Sequence, residues 1–164
     1  MTDVPGPSRE PARLHALGDL LRRELPLSGP LGVELRRWDE GGLEVWAPDE
    51  PNRNVQGNLF GGSLAAVALL AGWGLVRLEL QHRGIEADVV VQDGTLRFER
   101  PVRAAMRAVA LHPPAEAWDR FLRAIRDRGR GRIALRVELT PDPADPPEAA
   151  VVMEARYVAT MPPH

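Results

Sequence analysis

An uncharged, apolar segment at residues 59–76 constrains the fold of this chain more than any other feature of its sequence. About 18 such residues are enough to cross a bilayer as a helix. The segment also contains four glycines and several alanines, which let another backbone approach closely. Its neighbours alternate between apolar and polar residues, as strands do, and include no second apolar span. We therefore predict a buried helix at about residues 59–82 of a soluble domain, with no membrane partner.

Shorter elements are expected on both sides of this helix. Leucines at helical spacing predict an amphipathic helix at residues 14–25. Two alternating segments around a turn at residues 39–42 predict a β-hairpin. A second amphipathic helix is predicted at residues 115–128. The remaining strands are predicted at residues 88–93, 95–99, 102–111, 132–139 and 149–160, with a bulge or close backbone approach at Gly94 and a turn at residues 129–131.

This order of elements predicts an α+β fold. Hairpin connections favour an antiparallel sheet, and a helix that is apolar nearly all round must be covered on most sides. A curved antiparallel β-sheet wrapped around a long central α-helix meets both requirements. This arrangement is the hotdog fold. Because no linker or internal repeat divides residues 1–164, we predict a single domain, with residues 1–8 loosely held.

The composition excludes several classes of protein. All 21 basic residues are arginine, and 23 acidic residues offset them, so the chain lacks the strong positive charge of a nucleic-acid binder. Cysteine is absent, which excludes disulfides and a thiol nucleophile. The histidines are scattered without metal-ligand spacing, so we expect no metal. The polar, proline-rich N-terminus does not resemble a secretion signal, which predicts a cytoplasmic protein.

Residues 54–63 join a polar loop to the start of the long helix and have the clearest chemical potential. The N–H groups of a helix's first turn lack intrahelical partners, and the helix dipole is positive there. Glycines let a ligand come close to this backbone. The segment is therefore suited to polarise a carbonyl oxygen or stabilise an oxyanion. Alternatively, the glycines only permit tight packing against the sheet.

The same segment resembles a known family. Asn-x-x-Gly-x-x-Phe-Gly-Gly-Ser at residues 54–63, followed by Ala-Gly-Trp-Gly-Leu at residues 71–75, is similar to the thioesterase domain at the C-terminus of YiiD-type proteins. Residues 88–102 and 155–159 extend the similarity, which covers about residues 25–161. The resemblance implies a hotdog fold, a homodimer or dimer of dimers, and acyl-CoA or acyl-carrier-protein substrates, with no cofactor.

The resemblance also implies the residues that bind substrate. They are Gly57, Phe60, Gly61, Gly62 and Ser63. The wider hotdog thioesterases often have His-Gly-Gly where this chain has Phe-Gly-Gly. Many also carry an acid about two turns into the helix, where residues 68–71 read Ala-Leu-Leu-Ala. The common mechanism therefore lacks its carboxylate here, and another one would have to act.

Asp93 is predicted to be that carboxylate, because it matches an aspartate of the family at the junction of two strand segments. In a dimer it would face the partner's helix N-terminus, as a general base or a nucleophile. Alternatively, it only caps local N–H groups. Asn54 is predicted to hold water or the substrate carbonyl through its amide, or else to close an Asx turn. Ser63 either orients water or caps the helix.

Arginines are concentrated between residues 120 and 132. Because guanidinium groups suit phosphates, Arg126, Arg128 and Arg130 are candidate contacts for the phosphates of CoA or for an acidic carrier protein. A solvated helix face in a lysine-free chain is the alternative.

These features together predict hydrolysis of acyl thioesters at a dimer interface, with the acyl chain lying along the apolar helix. A non-catalytic module that binds acyl-CoA or fatty-acyl groups is the alternative, because the helix acid and the histidine are missing. A hotdog dehydratase is disfavoured, since no histidine lies in the loop before the helix.

Overall fold

The computed structural model describes residues 9–163, so the prediction that residues 1–8 are loose lies outside the described residues. Six strands form one antiparallel sheet in the order β1-β2-β4-β5-β6-β3. The strands are β1 Glu34–Asp39, β2 Gly42–Ala47, β3 Asp88–Phe98, β4 Ala105–Leu111, β5 Arg130–Asp142 and β6 Val151–Thr160. The helices are α1 Pro11–Glu24, α2 Ser28–Leu31, α3 Gly61–His82 and α4 Ala115–Arg128. The predicted α+β hotdog architecture is confirmed.

The long helix α3 lies against the inner face of the sheet, where it meets β2 to β6. By length and composition α3 is a helix that could cross a membrane, but 67% of its most apolar window is buried inside the fold. That burial is what a core helix requires. The helix begins at Gly61, two residues later than predicted, because Phe60 has an extended backbone with φ −64° and ψ 131°.

Two glycines allow α3 to approach the sheet closely. A Cβ at Gly72 would lie 2.2 Å from the Tyr157 hydroxyl, and one at Gly74 would lie 2.6 Å from the Leu43 side chain. The Tyr157 hydroxyl donates a 2.8 Å hydrogen bond to the Leu69 carbonyl of the helix. Burial raises the pKa of that hydroxyl. The small residues of the apolar segment therefore serve helix–sheet packing at these positions.

Among the described strands, β3 lies at one edge of the sheet and pairs only with β6. The register of this pair shifts between Val91 and Asp93, which places the β-bulge at Gln92. Gly94 keeps a regular register and faces β6 closely, since a Cβ there would lie 3.0 Å from the Ala155 Cβ. The close approach predicted at Gly94 is thus observed, whereas the bulge lies two residues earlier.

Two other boundaries differ slightly between the prediction and the structure. Strand β4 begins at Ala105 rather than at residue 102. Val102 belongs to the loop before the strand, and its carbonyl accepts a hydrogen bond from the Leu59 N–H. The turn predicted at residues 129–131 is shorter. Gly129 alone ends α4, with a left-handed φ of 68°, and β5 begins at the next residue.

Candidate active site

The N-terminus of α3 presents three free backbone donors. Phe60 is the N-cap and gives no side-chain hydrogen bond, and the Leu64 N–H makes the first intrahelical bond, at 3.1 Å to the Phe60 carbonyl. In the described part of the chain, the N–H groups of Gly61, Gly62 and Ser63 have no partner. The helix dipole adds positive partial charge at the same place. This turn can therefore bind a carbonyl oxygen and the oxyanion formed from it.

Two aromatic rings flank these donors. Phe60 is 57% exposed and lies over Gly62, and Phe98 at the end of β3 is 54% exposed. The Phe98 ring is 3.7 Å from the position that a Cβ at Gly61 would occupy. The two rings therefore supply apolar surface beside the free N–H groups. The sequence did not single out Phe98, although its place in β3 opposite the buried Val151 puts it on the inner face.

The loop before α3 is held by asparagines. The Asn54 Oδ1 accepts hydrogen bonds of 3.0 Å from the N–H groups of Gln56 and Asn58. Asn54 therefore closes an Asx turn, which was the alternative to its predicted role at the site. Its amide nitrogen remains available as a donor, and its contact with water or substrate stays a prediction. Gly57 is exposed and has a left-handed φ of 79°, which the turn requires.

Asn52 anchors the start of α3 and was missed from the sequence. Its side chain is 2% exposed, and its Nδ2 donates to the carbonyls of Leu31 and Pro48, at 2.9 and 2.8 Å. The Asn52 backbone carbonyl accepts a 2.7 Å hydrogen bond from the Phe60 backbone N–H. Asn52 therefore ties α2 and the loop to the residue that caps α3. A single asparagine in a loop rich in Pro and Asn gave no signal that distinguished it.

Asp93 lies on the outer face of the sheet. It is opposite Arg156 in the β3–β6 register, and the Arg156 Nε donates a 2.9 Å hydrogen bond to its carboxylate. The neighbouring Tyr157 points inward to α3, so Arg156 and Asp93 point away from that helix. The Arg156 guanidinium also holds the pKa of Asp93 below its usual range. This placement does not support the predicted catalytic role of Asp93.

We expect Asp93→Asn to leave turnover within about threefold of wild type, because a residue that does not touch the reacting atoms contributes little to the barrier. The measurement is kcat/KM with an acyl-CoA substrate, and Glu154→Gln, another outer-face carboxylate that binds an arginine, is the matched control. A loss of about 100-fold in Asp93→Asn alone would restore the predicted role.

The arginines predicted to bind phosphate lie at the other end of the domain. Arg126 and Arg128 are in the last turn of α4, and Arg130 begins β5. Arg126 and Gly84 line the same small cavity beside the C-terminal end of α3. The 22 residues of α3 span about 33 Å, so within one chain these arginines are far from the free N–H groups of Gly61 and its neighbours.

An apolar groove of about 690 Å³ lies beside α3. Helices α1 and α2 form one wall, α3 forms the floor, and Val91 and Tyr157 of the sheet form the other wall. The groove follows α3 from Ala66 to Arg77, a rise of about 16 Å. Leu69 and Leu70, from the Ala-Leu-Leu-Ala stretch at residues 68–71 where the resemblance led us to look for an acid, line the groove. The groove therefore suits an aliphatic chain, and its lining on α3 begins at Ala66, in the second turn of the helix.

Comparisons with known structures identify similar folds. A protein of unknown function from Chlorobaculum tepidum is 29% identical, with a TM-score of 0.84 over 90% of this chain and 94% of that one. A protein described as a "putative thioesterase" from Shewanella oneidensis is 26% identical, with a TM-score of 0.77 over 92% of this chain and 98% of that one.

A thioesterase from Haemophilus influenzae is 21% identical, with a TM-score of 0.66 over 92% of this chain and 93% of that one, and its similarity concerns the fold. A family model described as "Putative thioesterase (yiiD_Cterm)" matches residues 14–161. This match covers nearly all of the described domain. The chain therefore belongs to the YiiD C-terminal thioesterase family.

Proposed function

We propose that this protein hydrolyses acyl thioesters of coenzyme A or acyl carrier protein. The observation that carries the proposal is the set of free N–H groups at Gly61, Gly62 and Ser63, which precede Ala66, the first residue of α3 that lines the apolar groove. A thioester carbonyl oxygen bound by these donors becomes more electrophilic, and the charge that develops on it is stabilised. The acyl chain then lies along α3 in the groove.

In the proposed reaction, water attacks the carbonyl carbon. Its oxygen forms the new C–O bond, the C–S bond breaks, and the departing sulfur takes up a proton, which gives a carboxylic acid and a free thiol. The first turn of α3 supplies electrostatic stabilisation. The Asn54 amide nitrogen and the Ser63 hydroxyl are the polar groups proposed to orient the water. No carboxylate lies on α3 at residues 68–71, so orientation and the oxyanion site carry most of the rate enhancement.

A homodimer through β3 completes this proposal. Strand β3 starts beside the C-terminal end of α3, and Phe98 at its end lies beside the N-terminus of α3. Antiparallel pairing of two β3 edges would therefore bring the end of one strand beside the start of the other. The proposed phosphate contacts, Arg126, Arg128 and Arg130, would then reach the active site from the second copy.

We expect the protein in solution to have twice its 18.0 kDa chain mass. Val90 is 58% exposed on the β3 edge. A charged side chain on a strand edge opposes pairing, so Val90→Lys should raise the dimer dissociation constant by about tenfold. Sedimentation velocity across a concentration series measures this constant. Val55→Lys, which changes an exposed loop valine, is the control and should remain dimeric, whereas equal dissociation in both variants would contradict pairing through β3.

The alternative function is a module that binds acyl-CoA without hydrolysing it. The absence of an acid at residues 68–71 and the outward direction of Asp93 favour this alternative. Release of free thiol from a panel of acyl-CoAs, measured together with acyl-CoA affinity by calorimetry, separates the two functions. Thiol release that is proportional to protein concentration supports hydrolysis. Tight binding without thiol release would establish the binding module instead.

A further inference from the structure

The apolar groove beside α3 ends at a cation. Arg77 lines the groove, and its guanidinium carbon lies 5.5 Å from the centre of the Trp73 ring. The Arg77 Nε is buried and has no hydrogen-bond partner. Among residues 9–163, no carboxylate forms an ion pair with Arg77. A buried guanidinium N–H without a partner is costly, and because no carboxylate neutralises the half-buried Arg77, its charge can attract an anion.

Arg77 also lines an adjoining cavity together with Glu10, Glu86 and Asp88, but among the described residues none of these carboxylates forms an ion pair with it. Glu24 is the other charged residue that lines the groove, and it is exposed on the last turn of α1. It forms no ion pair in the described part of the chain, so it does not neutralise Arg77. Arg83, six residues further along the chain at the C-cap of α3, already binds Glu79. Arg77 is therefore the cation that an incoming ligand would meet.

The direction of the side chain places its charge beside Trp73, where the groove meets the adjoining cavity. Side chains on a helix lean toward its N-terminus, and the Arg77 guanidinium accordingly lies over Trp73, one turn earlier. An aliphatic chain in the groove would pass Leu69 and Trp73 before it reached this charge. A guanidinium binds a carboxylate through two parallel hydrogen bonds, which are strong when partly shielded from water.

We propose that Arg77 is a carboxylate-binding residue, and that the groove holds an aliphatic chain whose end beside Arg77 carries a carboxylate. Two sources share this chemistry. One is a free fatty acid that occupies the groove with its carboxylate at Arg77. The other is a thioester of a dicarboxylic acid, with its thioester at the first turn of α3 and its far carboxylate at Arg77. The second source rests on the proposed function, and the first does not.

Binding of matched ligands tests the carboxylate site. Calorimetry with the wild-type protein is run with dodecanoic acid and with dodecanol, which differ only at the polar end. We expect the acid to bind about tenfold more tightly than the alcohol. Arg77→Met keeps the length and apolar stem of the side chain, and it should abolish this preference. Arg123→Met, which removes an exposed arginine of α4 outside the groove, should keep the preference.

Three results would overturn the proposal. In the first, wild type binds the acid and the alcohol equally or binds neither. In the second, Arg77→Met keeps the preference for the acid. In the third, Arg77→Met loses the preference, but light scattering shows that it also dissociates the oligomer, which would make Arg77 an interface residue.

A kinetic comparison then identifies the source of the carboxylate. Thiol release is measured with dodecanoyl-CoA and with its analogue that carries a terminal carboxylate. If kcat/KM is about tenfold higher for the analogue and the advantage disappears in Arg77→Met, the carboxylate belongs to the substrate. If the rates are equal and dodecanoic acid inhibits competitively, the ligand is the free fatty acid. If no thiol is released from either, the proposed function fails, and the binding experiment alone still decides the role of Arg77.

Discussion

Gly72→Ala should destabilise the fold by about 2 kcal/mol, although alanine is the better helix former. The added Cβ would lie 2.2 Å from the Tyr157 hydroxyl and 2.6 Å from its ring carbon Cζ. Tyr157 is fully buried and hydrogen-bonded to the Leu69 carbonyl, so it cannot move aside without breaking that contact. Overpacking of this kind destabilises the fold by about 3 kcal/mol, and the better helix propensity of alanine offsets about 1 kcal/mol of that loss.

Denaturant unfolding measures this effect, and Gly18→Ala is its matched control. Gly18 lies in the interior of α1, where an added Cβ meets only the Arg22 guanidinium at 3.8 Å. The same substitution there should therefore stabilise the fold by about 0.5 kcal/mol or more. If Gly72→Ala lowers the free energy of unfolding and Gly18→Ala raises it, Gly72 serves the close approach of α3 to the sheet. Equal stability of the two variants would contradict it.

Gly61→Pro should lower kcat/KM about 100-fold while the fold remains stable. Proline lacks the backbone N–H, so the substitution removes one of the three free donors at the start of α3. Loss of one oxyanion donor costs about 100-fold or more in rate. The position tolerates proline, because it is the first residue of the helix and the preceding Phe60 already has the extended backbone that proline requires.

Gly61→Ala is the control for this change, since it keeps the N–H and adds a methyl group in ordinary contact with Phe98, at 3.7 Å. It should keep turnover within about threefold. Both variants should unfold within about 1 kcal/mol of wild type. Equal turnover of the proline and alanine variants would show that the Gly61 N–H takes no part in catalysis.

Elements with a strong local pattern were predictable from the sequence. Helix α4 has the predicted bounds, because its apolar residues recur at helical spacing and Gly129 supplies the left-handed cap. The hairpin of β1 and β2 and the long apolar helix α3 also match the prediction. In each case the residues that decide the structure are close together in the chain.

The Asp93 side chain lies on a different face of the sheet from the one that simple alternation predicts. Val89 and Val91 point to the inner face, opposite Ala159 and Tyr157, and simple alternation would place Asp93 on that face as well. The bulge at Gln92 adds one residue, so Asp93 lies opposite Arg156 on the outer face instead. Gly94, two residues later, is a stronger sequence signal for a bulge than Gln92, so the bulge was predicted at Gly94.

Asn52 and Phe98 could not be predicted for a different reason. The Asn52 amide binds carbonyls from α2 and from the loop before it, and Phe98 reaches Gly61 across the fold. Both roles depend on which distant segments meet, and the residue types themselves are common in loops and strands. The glycines of the Phe-Gly-Gly-Ser segment were recognisable because they lie at a predicted helix N-terminus and because the segment resembles a known family.

The central claim is that the first turn of α3 binds a thioester carbonyl. A crystal structure of the protein with an acyl-CoA analogue in which a methylene replaces the sulfur tests it most directly. We predict that the ketone oxygen lies about 3 Å from the backbone nitrogens of Gly61, Gly62 or Ser63, with the acyl chain along Leu69 and Trp73 in the groove. A carbonyl bound elsewhere, such as beside Asp93 on the outer face of the sheet, would contradict the account.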